Sequence, residues 1–456
     1  MNDPQVRLRE AEQEILARRP EHAIEPSLDR ITALTELLGD PQRAYPVIHI
    51  TGTNGKTSTA RMVETLLRVR GLRTGLFTSP HLSSIRERIC VDGVPLSAER
   101  FADAYDEVQP YLALVDQSQP AALSFFEVLT AMAFAVFADA PVDAAVIEVG
   151  VGGTWDATNV ADGAVAVVTP ISLDHERYLG NSVTSIAGEK AGIIKPGAVA
   201  VLAQQPLDAA EVLLRRVAEV GATVAREGLE FGVTSRELAV GGQLLGVRGL
   251  LGSYDDLFLP LFGPHQAANA ACALAAVEAF SQVPDGLDED LVRAAFQAVT
   301  TPGRLEVVRR SPVMIVDSAH NPAGMAVSMA AVTEAFGFGA LVAVLAVSAD
   351  KDVPGILAEM EPVVSTLVAT QNSASRSMDA DELAGLAAEV FGPDRVVAAT
   401  RLDDAIDTAT GLADEAEAGD GPGLGGAGIL ITGSTATAGE ARTLLGAPGT
   451  AGQVAE

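Results

Sequence analysis

The sequence is poor in cysteine and in aromatic residues, and both shortages narrow the kind of protein that it encodes. Only two of its 456 residues are cysteine, Cys90 and Cys272, and neither lies in a C-x-x-C or other metal-ligand spacing. This usage suits a reducing cytoplasm better than export. Aromatic residues make up 4% of the chain, so a large core has to be built mainly from Ala, Val, Leu and Ile.

Positive charge is also scarce, since 31 Lys and Arg face 60 Asp and Glu and the formal net charge is −29. We therefore expect no nucleic-acid partner, because such a protein needs a basic face to displace counterions. The same charge repels an anionic substrate at long range, so an acidic ligand has to be captured by a local cluster of Arg, Lys or metal ions. Solubility alone is the alternative explanation of the charge.

Long apolar runs are missing as well, and none approaches the ~20 residues that a membrane-crossing helix needs. The first twenty residues are charged throughout and lack the apolar stretch of a secretory signal. We therefore predict a cytoplasmic protein without a membrane partner. We also expect a monomer, although the sequence does not fix the oligomeric state.

Short β-branched runs alternate with helical patterns over most of the chain, which predicts an α/β fold. Residues 1–300 are predicted to form one domain with a parallel sheet, and the alternating segments around a Gly-Gly turn within 229–262 add a small antiparallel region. Residues 304–456 are predicted to form a second, Rossmann-like doubly wound domain. Within it, residues 419–428 are predicted to be a Gly-rich loop, and the last ten residues to be frayed.

The strongest local motif is the segment TGTNGKTS, residues 51–58, which follows a predicted strand and opens a predicted helix. Glycines let backbone N–H groups approach phosphates, and the helix N-terminus favours an anion. The Walker pattern is incomplete because Ile50 replaces its first glycine, so an ordinary strand-to-helix turn remains the alternative. The motif predicts a P-loop ATPase domain in which these residues bind the nucleotide: Thr53, Asn54, Gly55, Lys56, Thr57 and Ser58.

The loop and several later segments together resemble the Mur-type amide ligases, and more closely folylpolyglutamate synthase and dihydrofolate synthase. The resemblance covers residues 25 to about 322 and fades beyond. In chain order its segments include SPHL (79–82), RERI (86–89), FFEVLT (125–130), EVGVGG (148–153), DATN (156–159), LDH (173–175), EKAGIIKPG (189–197), HQ (265–266), PGRLE (302–306) and AHNP (319–322).

The resemblance implies a role for each matching residue on the ATP side. Ser79, Glu148 and His175 resemble the Mg²⁺ ligands, and Lys190 resembles the lysine that the family carbamylates. Lys56, Lys190 and His175 are accordingly the predicted catalytic residues. The residues implied to contact the nucleotide from elsewhere in the chain are Asn269, Arg304 and Asp317.

The resemblance also implies a folate side of the site, where the chain departs from the family by carrying Thr154-Trp155. Trp155 is the only tryptophan, and it is suited either to stack on a pterin or benzoyl ring or to fill the core. The glutamate pocket is expected near His320 and residues 348–352, with Ser434 as a weaker candidate. The predicted substrate-binding residues are Glu25, Pro26, Ser27, Leu28, Ser124, Trp155, Asp156, Ala157 and His320.

The implied activity is ATP-dependent ligation of L-glutamate to a folate or dihydropteroate carboxylate, through an acyl phosphate. ATP and Mg²⁺ are the implied cofactors, with K⁺ as a further candidate ion. One alternative is a muramyl-peptide ligase, but only 51 residues precede Gly52, which is short for the additional domain of those enzymes. The other is a regulatory P-loop NTPase, although the guanine-reading Asn-Lys-x-Asp motif that a GTP switch needs does not occur in the sequence.

Overall fold

A computed structural model of the chain describes residues 3–284, 286–419 and 426–448. An eight-stranded sheet occupies the N-terminal half, in the spatial order β4-β3-β2-β5-β1-β6-β7-β8. Six of its strands are parallel, and β3 and β4 are antiparallel at one edge. The strands are β1 (Val47–Thr51), β2 (Thr74–Phe77), β3 (Ile89–Val91), β4 (Val94–Pro95), β5 (Ala144–Glu148), β6 (Gly163–Val168), β7 (Val199–Leu202) and β8 (Thr223–Arg226).

Strand β1 is central, because it pairs with β5 on one side and β6 on the other, and all five of its residues are buried. Helices cover both faces of this sheet, as its apolar strands require. The carboxyl ends of β1, β5 and β6 meet at one edge, where sites form in parallel sheets. The helices are α1 (Pro4–Leu16), α2 (Asp29–Leu37), α3 (Lys56–Val69), α4 (Ala98–Ser118), α5 (Phe125–Asp139), α6 (Glu176–Leu179), α7 (Val183–Lys190) and α8 (Leu207–Val220).

A separate three-stranded antiparallel sheet follows, in the order β11-β10-β9. Its strands are β9 (Gly232–Ala239), β10 (Gly242–Arg248) and β11 (Ser253–Leu259), and the helices after it are α9 (Pro264–Ser281) and α10 (Glu289–Ala298). The β9–β10 hairpin turns at Gly241, whose φ of 82° is accessible to glycine. The predicted antiparallel region and its glycine turn are therefore confirmed.

The C-terminal half contains a six-stranded sheet in the order β12-β13-β17-β14-β15-β16, parallel except for β12. Its strands are β12 (Glu306–Arg310), β13 (Val313–Val316), β14 (Ala340–Leu345), β15 (Thr366–Ala369), β16 (Val396–Ala398) and β17 (Ala427–Thr432). Its helices are α11 (Pro322–Phe336), α12 (Val353–Met360), α13 (Ala380–Phe391), α14 (Leu402–Gly419) and α15 (Thr435–Leu444).

These sheets confirm the predicted α/β fold class. The division into domains at residues 300–304 stays a prediction, and it falls between α10 and β12. Most of the predicted Gly-rich loop, residues 420–425, lies outside the described residues, as do residues 449–456 of the predicted frayed terminus. Within the described ranges no helix is both long enough and apolar enough to cross a membrane.

Both cysteines are free and buried, Cys90 in β3 and Cys272 in α9. Burial raises the pKa of the Cys90 thiol to about 12 and that of Cys272 well above its usual value. Neither thiol is therefore ionised at neutral pH, so both behave as small apolar side chains.

Candidate functional site

The predicted phosphate loop connects β1 to the first turn of α3. Gly55 caps this helix with a φ of 87°, and a Cβ atom there would lie 2.6 Å from Oδ1 of Asn269. Both the backbone conformation and the close approach of Asn269 therefore favour glycine. The Nζ atom of Lys56 folds back over the loop and donates to the carbonyls of Gly52 and Thr53, at 3.0 and 3.1 Å.

Glu148 ends β5 beside this loop, and its carboxylate is buried. Its Oε1 accepts from Oγ1 of Thr57 at 2.9 Å, and its Oε2 accepts from the backbone N–H of Ser79 at 3.3 Å. Burial raises the pKa of Glu148, and the nearby Lys56 ammonium opposes this rise. A positive charge near both carboxylate oxygens would therefore stabilise the ionised form of Glu148.

His175 follows Asp174 in the loop after β6 and has a left-handed φ of 53°. Burial lowers the pKa of His175 to about 4, so its imidazole is neutral at physiological pH. A neutral imidazole has a free lone pair, which is the form that binds metal. His175, Glu148 and Ser79 all line the same cleft.

Lys190, the last residue of α7, points into this cleft from a buried position. Its Nζ atom donates to the carbonyl of Gly52 at 2.8 Å, so it contacts the phosphate loop directly. Burial, together with the positive charge of Lys56, lowers the pKa of Lys190 to about 7. A large share of this amine is therefore unprotonated near neutral pH.

The C-terminal half supplies the opposite wall of the cleft through the loop after β13. Asp317 is buried there, and its Oδ2 accepts from the Ala319 N–H and the Ser328 hydroxyl, both at 2.9 Å. Asn321 donates to Oδ1 of Asn54 and to Oδ2 of Asp174, each at 3.1 Å, and so joins the two halves directly. The other predicted residues of this wall, Arg304 and His320, and Asn269 of α9 also line the cleft.

The predicted folate side forms another part of the same cleft wall. Trp155 is half-buried there, where it lines the cleft and also packs on the hydrophobic cluster that contains Leu179. Neither of its two predicted roles is therefore eliminated. Five other predicted residues line the cleft as well: Glu25, Ser27, Ser124, Asp156 and Ala157.

Two predicted folate-side residues are not in the cleft lining, namely Pro26 and Leu28. Leu28 instead packs, partly buried, against the core formed with α4 and α5. This position follows from its place at the N-cap of α2, where the helix presents its apolar side to that core.

Sequence reasoning did not identify several cleft residues, including Arg30, Arg88, Phe126, Arg376 and Glu21. Arg88 donates to both carboxylate oxygens of Glu21 at 2.8 and 3.1 Å. Arg88 is inside the quoted RERI segment, but nothing local marks Glu21 as its partner, 67 residues away. The charge of Arg88 is therefore balanced by Glu21 within the cleft wall.

The donor set near the phosphate loop was tested for its fit to a metal ion. Over the described ranges, no three His, Cys, Asp or Glu side chains are grouped so as to hold one. Glu148 nevertheless offers a buried carboxylate, His175 a neutral imidazole and Ser79 a hydroxyl. Mg²⁺ is usually bound through one or two carboxylates together with water and substrate phosphates, and the buried Glu148 carboxylate beside the phosphate loop fits that pattern.

Two family models match the chain. One is described as the Mur ligase middle domain and matches residues 50–277. The other is described as the Mur ligase, glutamate ligase domain and matches residues 303–434. Together they include the phosphate loop, Glu148, His175, Lys190 and Asp317.

The chain is also similar over most of its length to two bacterial proteins. It is 54% identical to the dihydrofolate synthase/folylpolyglutamate synthase of Mycobacterium tuberculosis, with 94% of this chain and 92% of that protein covered. It is 32% identical to the dihydrofolate synthase/folylpolyglutamate synthase of Bacillus subtilis, with 76% and 82% covered.

Among solved structures, the Mycobacterium tuberculosis folylpolyglutamate synthase complexed with ADP and AMPPCP superimposes with a TM-score of 0.93 at 53% identity. The match covers 97% of this chain and 99% of that one. An FPGS–AMPPCP–folate complex matches with a TM-score of 0.80 at 32% identity, covering 96% and 99%.

Proposed function

Because the chain belongs to the Mur ligase family and, within it, to the folylpolyglutamate and dihydrofolate synthases, we propose that it joins L-glutamate to the carboxylate of a folate. Dihydropteroate is proposed as a second acceptor, since relatives carry both names. One observation carries the proposal. A single cleft contains the phosphate loop, the buried Glu148 and the aromatic Trp155, and it is closed on the far side by Asp317.

A carboxylate is a poor acyl donor, and ATP overcomes this by phosphorylating it. The amine of glutamate then attacks the acyl phosphate, which gives an amide, ADP and phosphate. The chain contributes by orienting the reactants and by neutralising charge on the transferring phosphoryl group. Lys56 and Arg304 line the cleft and are suited to that role, with Thr53, Asn54, Gly55, Thr57, Ser58, Asn269 and Asp317 as further proposed nucleotide contacts.

Ser79, Glu148 and His175 are the residues proposed to hold Mg²⁺. A divalent cation supplies charge neutralisation at the phosphates when it is bound. The present hydrogen bonds of Glu148, from Thr57 and from the backbone of Ser79, hold its carboxylate at the carboxyl end of β5. K⁺ stays a prediction without a proposed site.

Trp155 and Asp156 are proposed to receive the ring system of the folate, and Ser27, Glu25, Ser124 and Ala157 to surround it. The incoming glutamate is proposed to bind between His320 and Lys351. Lys351 and His320 both line that part of the cleft, where each of them lies beside the carboxylate of Asp174. Cytoplasmic location and a monomeric state stay predictions, as does independence from nucleic acid.

The decisive assay measures ADP release with each substrate omitted in turn. We expect release to require glutamate together with tetrahydrofolate or dihydropteroate, and to be slow with ATP alone. ADP release that depends on neither the acceptor nor glutamate would favour the regulatory NTPase. Release that requires a muramyl peptide would favour the other alternative.

The proposed intermediate is tested with acceptor whose carboxylate carries ¹⁸O. If the carboxylate attacks the γ-phosphorus, one labelled oxygen leaves with phosphate when the amide forms. Released phosphate without label during full turnover would rule out the acyl phosphate while leaving the substrates unchanged.

A further inference from the structure

A buried histidine on the central strand lies directly behind the folate side of the cleft. His49 of β1 is fully buried, and its Nε2 atom lies 2.9 Å from Oγ1 of Thr158. The Thr158 hydroxyl also contacts Oδ1 of Asp156, which lines the cleft. The three side chains form one chain of hydrogen bonds from the protein core to the cleft wall.

The direction of these hydrogen bonds follows from the chemistry of the groups. An ionised Asp156 only accepts, so the Thr158 hydroxyl donates to it, and the hydroxyl oxygen is then free to accept from His49. His49 therefore carries its proton on Nε2. Burial lowers the pKa of His49 to about 3, so the ring is neutral and has a single proton to give.

Stability alone does not account for a histidine at this position. The Nδ1 atom of His49 is buried and has no hydrogen-bond partner among the described residues. A buried polar atom without a partner is unfavourable, and an apolar residue on β1 would avoid it. The unpartnered nitrogen is the consequence of directing Nε2 toward Thr158.

We propose that His49 and Thr158 are positioning residues that hold Asp156 as an ionised acceptor facing the ring system of the folate or dihydropteroate substrate. This inference rests on the proposed function. Burial raises the pKa of Asp156, and the hydrogen bonds that its carboxylate accepts oppose this rise without cancelling it. The donors are the N–H groups of Thr158 and Val151, both at 3.0 Å, and the Thr158 hydroxyl.

An ionised Asp156 matches the other residues of this wall. Trp155 and Phe126 line the cleft beside it, and aromatic faces suit a planar ring. Oδ1 of Asp156 already accepts two hydrogen bonds from Thr158 and Oδ2 accepts one from Val151, so Oδ2 is the atom that can accept from an N–H group on the edge of such a ring. A charge-assisted bond of this kind is stronger than a neutral one. A protonated carboxyl has to donate at one oxygen, which would weaken that match.

The competing explanation is that the Thr158 hydroxyl only completes a helix cap. Asp156 caps the short 3₁₀ helix Ala157–Val160 by accepting from the Thr158 backbone N–H. That contact does not use the hydroxyl, so valine at position 158 would retain the cap. Removing the hydroxyl therefore separates positioning of Asp156 from local folding.

The experiment measures dihydropteroate binding through quenching of the single tryptophan, Trp155. Thr158→Val and His49→Met should each raise the dissociation constant about tenfold, as expected when support for a charged acceptor is lost. Thr158→Ser keeps the hydroxyl, and His49→Gln keeps an N–H near the position of Nε2, so both should bind close to wild type. The double variant should bind no more weakly than Thr158→Val, because His49 acts only through Thr158.

Steady-state kinetics give a second, independent measurement. A general destabilisation of the fold would not produce the pattern expected here. The KM for the acceptor should rise in Thr158→Val and in His49→Met, whereas the KM for ATP should stay unchanged. Thr65→Val is the matched control, since Thr65 is buried and its hydroxyl donates to the Arg61 carbonyl at 2.8 Å, within α3. It should change neither constant.

The outcomes distinguish a failure of the proposed function from a failure of the positioning role of His49 and Thr158. A wild-type protein that neither binds nor ligates dihydropteroate or folate would overturn the proposed function. Normal wild-type ligation with unchanged acceptor binding in Thr158→Val would overturn the positioning role alone. Equal losses in His49→Met and His49→Gln, with both KM values rising together, would also overturn it.

Discussion

The Nζ atom of Lys351 lies 2.6 Å from Oδ1 of Asp174, and this ion pair joins the loop after β14 to the loop after β6. Its side chains are only 12% and 6% exposed. Asp174 also lies 3.5 Å from Nε2 of His320. Although burial opposes it, the hydrogen bond with His320 and the charge of Lys351 hold the pKa of Asp174 well below its usual range.

Lys351→Met should therefore destabilise the protein by about 3 kcal/mol, because it leaves a buried carboxylate without its cation. Urea unfolding followed by circular dichroism measures the loss. The double variant Asp174→Asn with Lys351→Met should recover part of it. Arg376→Ala removes a solvent-exposed ion pair with Asp350 and should cost less than about 1 kcal/mol. Equal losses in Lys351→Met and Arg376→Ala would contradict a buried pair.

Lys56→Ala should reduce kcat by roughly 10²–10³-fold, the range seen when one preorganised stabilising group is removed. The fold should persist, because Lys56 contacts only loop carbonyls besides its charge interactions. Steady-state kinetics and circular dichroism check the two parts. Arg215→Ala on α8 is the control, since it loses only a solvent-exposed pair with Glu211. Unchanged turnover in Lys56→Ala would refute the phosphate-loop assignment.

Glu148→Ala and His175→Ala should each raise the Mg²⁺ concentration needed for half-maximal activity or abolish activity. The reason is the loss of a carboxylate or imidazole ligand from a small set. Calorimetric titration of Mg²⁺ in the presence of AMPPCP provides a reading independent of turnover. Glu211→Ala changes an exposed carboxylate on α8 and should leave the titration unchanged. Wild-type Mg²⁺ dependence in both cleft variants would exclude the proposed site.

Lys190 is predicted to be carbamylated by CO₂, which reacts with the neutral amine. At pH 8 an ordinary lysine is less than about 1% neutral, whereas the pKa of about 7 set by burial makes Lys190 mostly neutral there. Because neutral amine increases as pH rises through 7, CO₂-depleted enzyme should regain activity faster at pH 8 than at pH 6 when the concentration of dissolved CO₂ is held equal at the two pH values.

Chemical rescue of a variant that lacks the lysine is a second test of the carbamylation of Lys190. Lys190→Ala should be nearly inactive, and formate or acetate should restore part of the rate by supplying the missing carboxylate. Full activity in Lys190→Ala would argue against the modification, as would a high-resolution map with an unmodified ammonium in the ATP-bound state. The hydrogen bond from Lys190 to Gly52 would then be its working contact.

Local patterns predicted most of the fold because strands and helices follow hydrophobic periodicity. The antiparallel region predicted within residues 229–262 corresponds to β9, β10 and β11, and the helix predicted to begin at the phosphate loop is α3. Strand β12 was not predicted. Its residues are mostly exposed and charged, and it exists because it pairs with β13 at the sheet edge. Such pairing depends on partners that a local window does not contain.

The position of a residue in the cleft was predictable where it follows a strand or belongs to a motif, as for Lys56, Glu148 and His175, whose roles stay predictions. Contacts between distant segments were not. Arg30 forms a buried pair with Glu127, 97 residues away, and Lys351 meets Asp174 across 177 residues. Only the folded backbone brings such charges together, and nothing in one segment specifies its partner.

The burial of Cys90 and Cys272 makes the native chain unreactive toward thiol-directed labels at neutral pH. A cysteine introduced at an exposed position on each half would thus be the only pair available to a maleimide dye. Energy transfer between two such dyes would report the distance between the halves in single molecules, without first having to remove either natural cysteine.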